Sequence, residues 1–167
     1  AHTVSVSANG TVSGVNFGNQ RVGGHPDLLA TDFDAEPDHI LDGRTEIIYT
    51  IVNSGSGPAG AFGVNVVLSP DATIGNGDDV VADNFTVSGL SAGATGNGVR
   101  SVQFSKSMLN GWAQGDDDTG LGAGHRSTAE YYVGLVIDPD NGIEETDETN
   151  NANRGKGLDK DDITYFP

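Results

Sequence analysis

The stretch Phe62–Leu68, which reads FGVNVVL, decides the fold class of this chain of 167 residues. Every second residue from Phe62 to Leu68 is apolar, and neighbouring side chains of a β-strand point to opposite faces of a sheet. The residues between them are glycine, asparagine and valine. The stretch therefore predicts a strand that buries one face in a core.

Strand patterns recur on both sides of this stretch, while helical periodicity is nearly absent. Glu46–Val52 is apolar or nearly so on both faces, which favours an inner strand. Many short strands separated by turn-forming pairs such as Asn141-Gly142 predict an all-β fold, an antiparallel β-sandwich, with a closed barrel as the alternative. The candidate strands are Thr3–Ser7, Thr11–Phe17, Leu28–Phe33, Glu46–Val52, Phe62–Leu68, Val80–Val87, Gly98–Phe104, Tyr131–Ile137 and Ile163–Phe166. The aromatic residues expected in the core are Phe62, Phe104, Tyr131 and Tyr132.

Two segments depart from this rhythm. Residues 105–128 form a long connection that contains Trp112, and connections of this length in a compact domain are usually functional or mobile. Residues 1–24 have a pattern of their own, which predicts an N-terminal hairpin or the remnant of a preceding domain. We therefore expect a β-sandwich over residues 25–167 with an insertion at 105–128. Because the chain opens with Ala1, we also expect a processed piece of a longer protein.

The charge balance excludes several classes of partner. The chain has 24 acidic and 8 basic residues, for a net charge of −16. Nucleic acids and anionic membrane surfaces require a basic footprint, so neither is an expected partner. No apolar run approaches the roughly 20 residues that span a bilayer. Because the chain has no cysteine, disulfides, thiolate catalysis and cysteine-ligated zinc are excluded.

Acidic residues gather in the loops that follow two predicted strands, those ending at Leu68 and Ile137. Carboxylates packed in one loop repel one another unless a cation neutralises them, and Ca²⁺ takes roughly six to eight oxygen ligands from carboxylates, amides and carbonyls. We therefore predict Ca²⁺ as the cofactor. The first predicted ligand set is Asp138, Asp140, Asn141, Glu145, Glu148 and Asn150, and the second is Asp71, Asp78 and Asp79.

Other interpretations of these loops stay open. The alternative is that they are solvated loops of an acidic protein, which we favour for the run Asp116–Asp118. Residues 138–142 share their chemistry with an EF-hand loop, but the helices and the final glutamate of that motif are missing. The single stretch Gly155–Asp159 resembles one copy of a glycine-rich calcium repeat. The four histidines lie far apart in the sequence, which argues against zinc.

Enzyme classes find little support in the motifs. No Gly-x-Ser-x-Gly elbow occurs in a strand–turn–helix context, and no phosphate-binding loop is present. A general acid needs an isolated, apolar setting, whereas these carboxylates are clustered. We therefore expect no catalytic residues. The main alternative is a carbohydrate-binding accessory module of a secreted hydrolase, with Trp112 as the aromatic platform.

Six short phrases occur in order along this chain, and the most specific of them is Glu145–Asn151, which reads ETDETNN. The phrases are Asp27–Thr31, Tyr49–Gly55, Val67–Asp71, Val87–Gly93, Tyr132–Asp138 and Glu145–Asn151. This ordered set resembles CARDB, the cell-adhesion-related domain found in bacteria. Residues 1–22 separately resemble the closing strand of the B-type repeats of bacterial surface proteins.

The CARDB resemblance implies an immunoglobulin-like β-sandwich without enzymatic activity, from a secreted or surface-attached bacterial protein. Its expected role is adhesion or the spacing of neighbouring domains of the parent protein. A surface protein or a glycan is a further candidate partner. The insertion at 105–128 and the tail after Asn151 depart from the family pattern, and either could add a site that the family does not have.

Overall fold

Eight β-strands form the framework in the part of the chain that the computed structural model describes, which is residues 23–40, 43–105, 108 and 129–165. They form two sheets, with strand orders β1-β3-β6 and β2-β8-β7-β4-β5. Neighbouring strands are antiparallel except for the short parallel pair β2 and β8. The strands are β1 Leu28–Glu36, β2 His39–Ile40, β3 Arg44–Asn53, β4 Phe62–Ser69, β5 Val80–Val87, β6 Thr95–Gln103, β7 Ala129–Ile137 and β8 Lys160–Tyr165.

The two sheets stack through their apolar faces, which confirms the predicted all-β, immunoglobulin-like antiparallel β-sandwich. Val64, Val66 and Leu68 of β4 are fully buried, as the alternation predicted. Ile47 and Ile51 of β3 are fully buried in the same core cluster. Each such side chain stabilises the fold by about 1.5–3 kcal/mol relative to an exposed one. Among the described residues, no helix is long and apolar enough to cross a membrane.

Most of the aromatic residues also lie where the sequence predicted. Phe62, Phe104 and Tyr131 are buried in the core, whereas Tyr132 is only half-buried. Neighbouring residues of a strand face opposite sides, so a strand that buries Tyr131 turns Tyr132 to the outer surface of its sheet. The prediction of a core position was therefore wrong for Tyr132.

The central strand of the smaller sheet, β3, differs from its prediction in one respect. It does lie between two neighbours, β1 and β6. However, Ile48 is 39% exposed while Ile47 is fully buried. Only one face of this sheet packs on the core, so the apolar pattern on both faces of β3 does not mean burial on both.

The sequence pattern did not predict all the strands and their boundaries correctly. β6 begins at Thr95 rather than Gly98, and β2 was not predicted. Gly98 lies inside β6, and a Cβ there would lie 2.7 Å from the Tyr49 hydroxyl. Gly98 therefore makes room for a neighbouring ring. Three predictions lie wholly or largely outside the described residues. They are the strands Thr3–Ser7 and Thr11–Phe17, the hairpin at 1–24 up to residue 22, and most of the 105–128 insertion with Trp112.

A polar and aromatic group closes the side of the sandwich where β5 and β6 meet. The Arg100 guanidinium on β6 lies 4.5 Å from the centroid of the Phe85 ring on β5 and 2.7 Å from the Asp83 carboxylate. The Phe85 ring lies 5.0 Å from the Tyr49 ring on β3. A cation over an aromatic face adds about 0.5–1 kcal/mol at a partly exposed site, so this group links the two sheets at their edges.

Asn53, the last residue of β3, organises the end of the sandwich where β1 begins. It is fully buried. Its Oδ1 accepts hydrogen bonds from the backbone N–H groups of Asp27 (3.1 Å) and Gly55 (3.0 Å). Its Nδ2 donates to the carbonyls of Gly57 (2.9 Å) and Leu90 (3.0 Å). One amide side chain thereby satisfies four backbone groups from three different segments.

We expect Asn53→Ala to lower the free energy of unfolding by about 3 kcal/mol, because buried backbone groups lose their partners. The control is Asn65→Ala, at a half-buried position on β4, which should cost less than about 1 kcal/mol. Equilibrium urea unfolding measures both values. Equal losses in the two variants would contradict the role assigned to Asn53.

Candidate functional site

The two predicted acidic loops lie against each other on the outer face of the five-stranded sheet. Ile74, in the loop after β4, is buried over Gly134 of β7. A Cβ at Gly134 would lie 2.7 Å from the Ile74 Cγ1. The Ile74 backbone N–H donates to the Asn153 Oδ1 (2.6 Å), and the Asn153 Nδ2 donates back to the Ile74 carbonyl. Gly134 therefore leaves room for Ile74 against β7, and Asn153 links the loop after β4 to the loop after β7.

Between these loops lies a groove of about 330 Å³, which we call the acidic groove. Its polar lining includes Asp138, Asn141, Glu148 and Asn151, and its apolar lining includes Ile74 and Val136. Three of the predicted ligands, Asp138, Asn141 and Glu148, are thus brought to one place. Asp140 is exposed and does not belong to this lining.

Asp138 builds the turn at one side of the groove. It is 6% exposed, and its Oδ2 accepts the Ile143 N–H at 2.7 Å. Its carbonyl accepts the Asn141 N–H at 2.9 Å. Asp138 and Asn141 have φ angles of 45° and 51°, a left-handed conformation that Asp and Asn tolerate better than most residues. The residue types of this turn therefore satisfy a backbone requirement whether or not a cation is present.

Glu145 and Asn150 turn away from the groove and hold the start of β1. We call Glu145, Asn150 and Asn151 the clasp. Glu145 is 8% exposed, and its carboxylate accepts the Leu28 N–H through Oε2 and the Asn151 Nδ2 (2.9 Å) through Oε1. The Asn150 Nδ2 donates to the Asp27 Oδ1 at 2.8 Å. The clasp thus ties the segment after β7 to the first strand of the opposite sheet.

Burial raises the pKa of the Glu145 carboxyl above its ordinary value. The hydrogen bonds from the Leu28 N–H and the Asn151 amide act in the opposite direction, and the negative charges of Glu148 and Asp138 raise it slightly further. Desolvation of the ionised form is the largest effect. The clasp therefore carries an ionised group at a cost in stability near neutral pH.

The second predicted ligand set, Asp71, Asp78 and Asp79, lies along the turns of the loop between β4 and β5. The Asp71 Oδ1 accepts the Thr73 N–H at 2.6 Å, and the Asp79 Oδ2 accepts the Gly75 N–H at 2.5 Å. Asp78 is exposed. Throughout the described ranges, no three His, Cys, Asp or Glu side chains are placed together so that they could hold a metal ion.

Three amide or carboxylate oxygens in these loops are buried without a hydrogen-bond partner. They belong to Asp79, Asn150 and Asn151. Buried polar atoms are normally paired, so each one needs an explanation. The Asn151 Oδ1 belongs to a residue of the acidic groove, beside Asp138 and Glu148. The groove thus offers oxygen atoms from carboxylates and amides, the ligand type of hard cations.

The sequence pattern did not assign a structural role to Asn153 or Asp159, which lie between β7 and β8. Asp159 is buried, and its two carboxylate oxygens accept the N–H groups of Arg154 (2.7 Å) and Gly155 (2.9 Å). The stretch Gly155–Asp159 is therefore a turn built around a carboxylate. The signal was present in its two glycines, which have φ angles of 129° and 76°.

The comparisons with known proteins agree with this fold. The CARDB family model matches residues 25–154. A crystal structure of a CARDB domain from Pyrococcus furiosus in complex with di-metal ions is 15% identical, with a TM-score of 0.53, over 84% of this chain and 94% of that one. A cell surface protein domain from Methanosarcina acetivorans is 22% identical, with a TM-score of 0.44, over 77% and 86% of the two chains. No curated protein matches the sequence significantly.

A pH series tests the cost of the buried Glu145 charge. The pKa of Glu145 is higher in the folded chain than in the unfolded chain, so its favourable contribution is complete below the unfolded value and is lost as the pH rises through the folded one. We expect the stability difference between wild type and Glu145→Gln to change in that sense as the pH rises above about 4.3, the ordinary pKa of a glutamate. Urea midpoints measure it, with the exposed Glu144→Gln as control. A difference that does not vary with pH would contradict the prediction.

Proposed function

The chain belongs to the CARDB family over residues 25–154, a family of non-catalytic β-domains of cell-surface proteins, and on that premise we propose that it is a spacing module. In this role it holds neighbouring parts of a secreted or surface-attached protein at a fixed separation. A surface protein or glycan bound elsewhere on the parent protein would then be presented away from the cell. The chain itself needs no catalytic residue for this work.

The direction of the chain through the sandwich carries this proposal. Leu28, at the start of β1, pairs with Asn53 at the end of β3. At the opposite end, Tyr165 of β8 pairs with Ala129 at the start of β7, and the Thr164 N–H donates to the Asp38 carbonyl. The polypeptide therefore enters at one end of the sandwich and leaves at the other. Domains with this geometry join end to end.

The length of the strands sets the spacing. β7 has nine residues, and strands rise about 3.3 Å per residue, which gives roughly 30 Å for the long axis. The clasp and Asn53 hold the entry end. A module held in this way acts as a rigid strut rather than a flexible linker.

We expect two copies, joined from residue 165 of one to residue 23 of the next, to be longer than one copy by roughly 30 Å, one strand length. Small-angle X-ray scattering on the single and joined proteins measures the maximum dimension. A single copy with the same added linker residues is the control. A joined protein that lengthens by less than about 10 Å, as a side-by-side pair would, contradicts the spacing role.

We further propose that Ca²⁺ binds in the acidic groove and stabilises the module. Asp138, Asn141, Glu148 and Asn151 line the groove, and the Asn151 Oδ1 has no hydrogen-bond partner. The donor set of carboxylates and amides suits a hard cation. The bound ion would supply positive charge beside the carboxylates of Asp138 and Glu148. The structure of the Pyrococcus furiosus domain in complex with di-metal ions is a further reason to test the groove for metal binding.

Calcium removal tests the groove. A ligand that binds only the folded state at about a hundredfold excess over its Kd adds about 2.7 kcal/mol, so we expect EDTA to lower the Tm by several degrees. Asp138→Ala should weaken calcium binding, measured by titration calorimetry, far more than Asp117→Ala in the acidic run that we expect to be solvated. An unchanged melt in EDTA, or equal affinities in the two variants, would reject the site.

A further inference from the structure

The outer face of the three-stranded sheet has an apolar centre. Ile48 of β3 and Val99 of β6 are directly paired in the antiparallel register, and they are 39% and 60% exposed. Val52 and Leu29 are half-buried and pair on the same face, beyond the polar pair Thr50 and Asp32. Single exposed apolar residues are ordinary on protein surfaces, whereas grouped ones mark contact sites.

Acidic residues flank this centre on one side. Asp34 is the register partner of Ile48, and Asp32 is the partner of Thr50. Glu36 lies directly opposite Glu46, and like charges at such positions destabilise a sheet. Burial raises the pKa of Asp34, and the neighbouring charges of Asp161, Asp38 and Asp32 raise it further. This flank is therefore a concentrated negative surface beside exposed apolar side chains.

Basic residues near this flank already have partners. Arg44 lines a pocket together with Glu36 and Glu46, and its Nε donates to the Gln103 Oε1 at 3.3 Å. Arg154 donates to the Ala30 carbonyl at the edge of β1, and Lys156 pairs with Asp161 and Asp162 on β8. The acidic residues of the flank outnumber Arg44, so its net charge stays negative.

We propose that this face, defined by Asp32, Asp34, Glu36, Glu46, Ile48 and Val99, docks a basic protein surface that carries an apolar side chain between lysine or arginine residues. Charge complementarity selects this occupant, because a second copy of a chain with a net charge of −16 would be repelled. The contact uses the face and not the edge of β1, since the Phe33 N–H already donates to the Gly157 carbonyl at that edge.

The size of the face predicts a weak, transient complex. Three strands about 4.8 Å apart and roughly 30 Å long give a flat area of about 400 Å², below the roughly 800 Å² that each partner buries in a stable interface. Exposed charges are screened by salt over about 8–10 Å, so affinity should fall as ionic strength rises. The proposal is independent of the spacing role and of calcium binding.

The test uses a seven-residue peptide of alternating lysine and valine as the probe, titrated into the full chain labelled with ¹⁵N. Chemical-shift changes map the contact and give the Kd at low and high salt. The charge variant is Asp32→Asn, Asp34→Asn and Glu36→Gln, and its matched control, with the same change in charge, is Asp71→Asn, Asp78→Asn and Glu144→Gln. The apolar variant is Ile48→Ser with Val99→Ser, and its control is Val81→Ser with Leu158→Ser, both exposed elsewhere.

We expect shifts centred on Ile48 and Val99, a loss of affinity of at least tenfold in the charge variant and of at least threefold in the apolar variant, and less than twofold in either control. Equal losses in variant and control would show attraction to net charge alone and overturn the proposal. Shifts centred elsewhere, or no binding at low salt, would overturn it too. A dimer that disappears in the apolar variant, seen by light scattering, would assign the face to a second copy instead.

Discussion

The carboxylate that accepts a backbone N–H is the interaction on which this structure depends. Glu145 holds the start of β1 through the Leu28 N–H, Asp138 closes its turn through Ile143, and Asp159 closes another through Arg154 and Gly155. The chain has no cysteine, so its long loops have no disulfides to fix them. Hydrogen bonds to an ionised acceptor are stronger than those between neutral groups, and here they take over that role.

This interaction also explains how the acidic loops divide between structure and a candidate cation site. A carboxylate has two oxygens, and in two of these turns one oxygen accepts a backbone N–H, as Oδ2 does in Asp138 and in Asp79. The second oxygen stays available for another ligand. The same side chain therefore shapes the loop and contributes to the oxygen-rich surface of the acidic groove. Glu145 and Asp159 are exceptions, because both oxygens of each carboxylate accept hydrogen bonds.

The sequence predicted the fold well where a local rule decides it, and the site less well. Alternation predicted β4 to within one residue, because one buried face imposes a period of two. The identity of the groove residues depends instead on contacts between distant segments. Asn153 and Ile74 are 79 positions apart, and no local pattern pairs them. Gly98 shows the same limit, since its lack of a side chain serves the Tyr49 ring and not a turn.

Entry and exit at opposite ends determine how the domain would carry tension. A pull on residues 23 and 165 acts along β1 and β8, parallel to the strands. The hydrogen bonds between β1 and β3 and between β7 and β8 lie across that direction, so each ladder is loaded in shear and its bonds resist together. In a hairpin pulled open from one end, the bonds break one at a time. The sandwich is therefore built to resist extension under force.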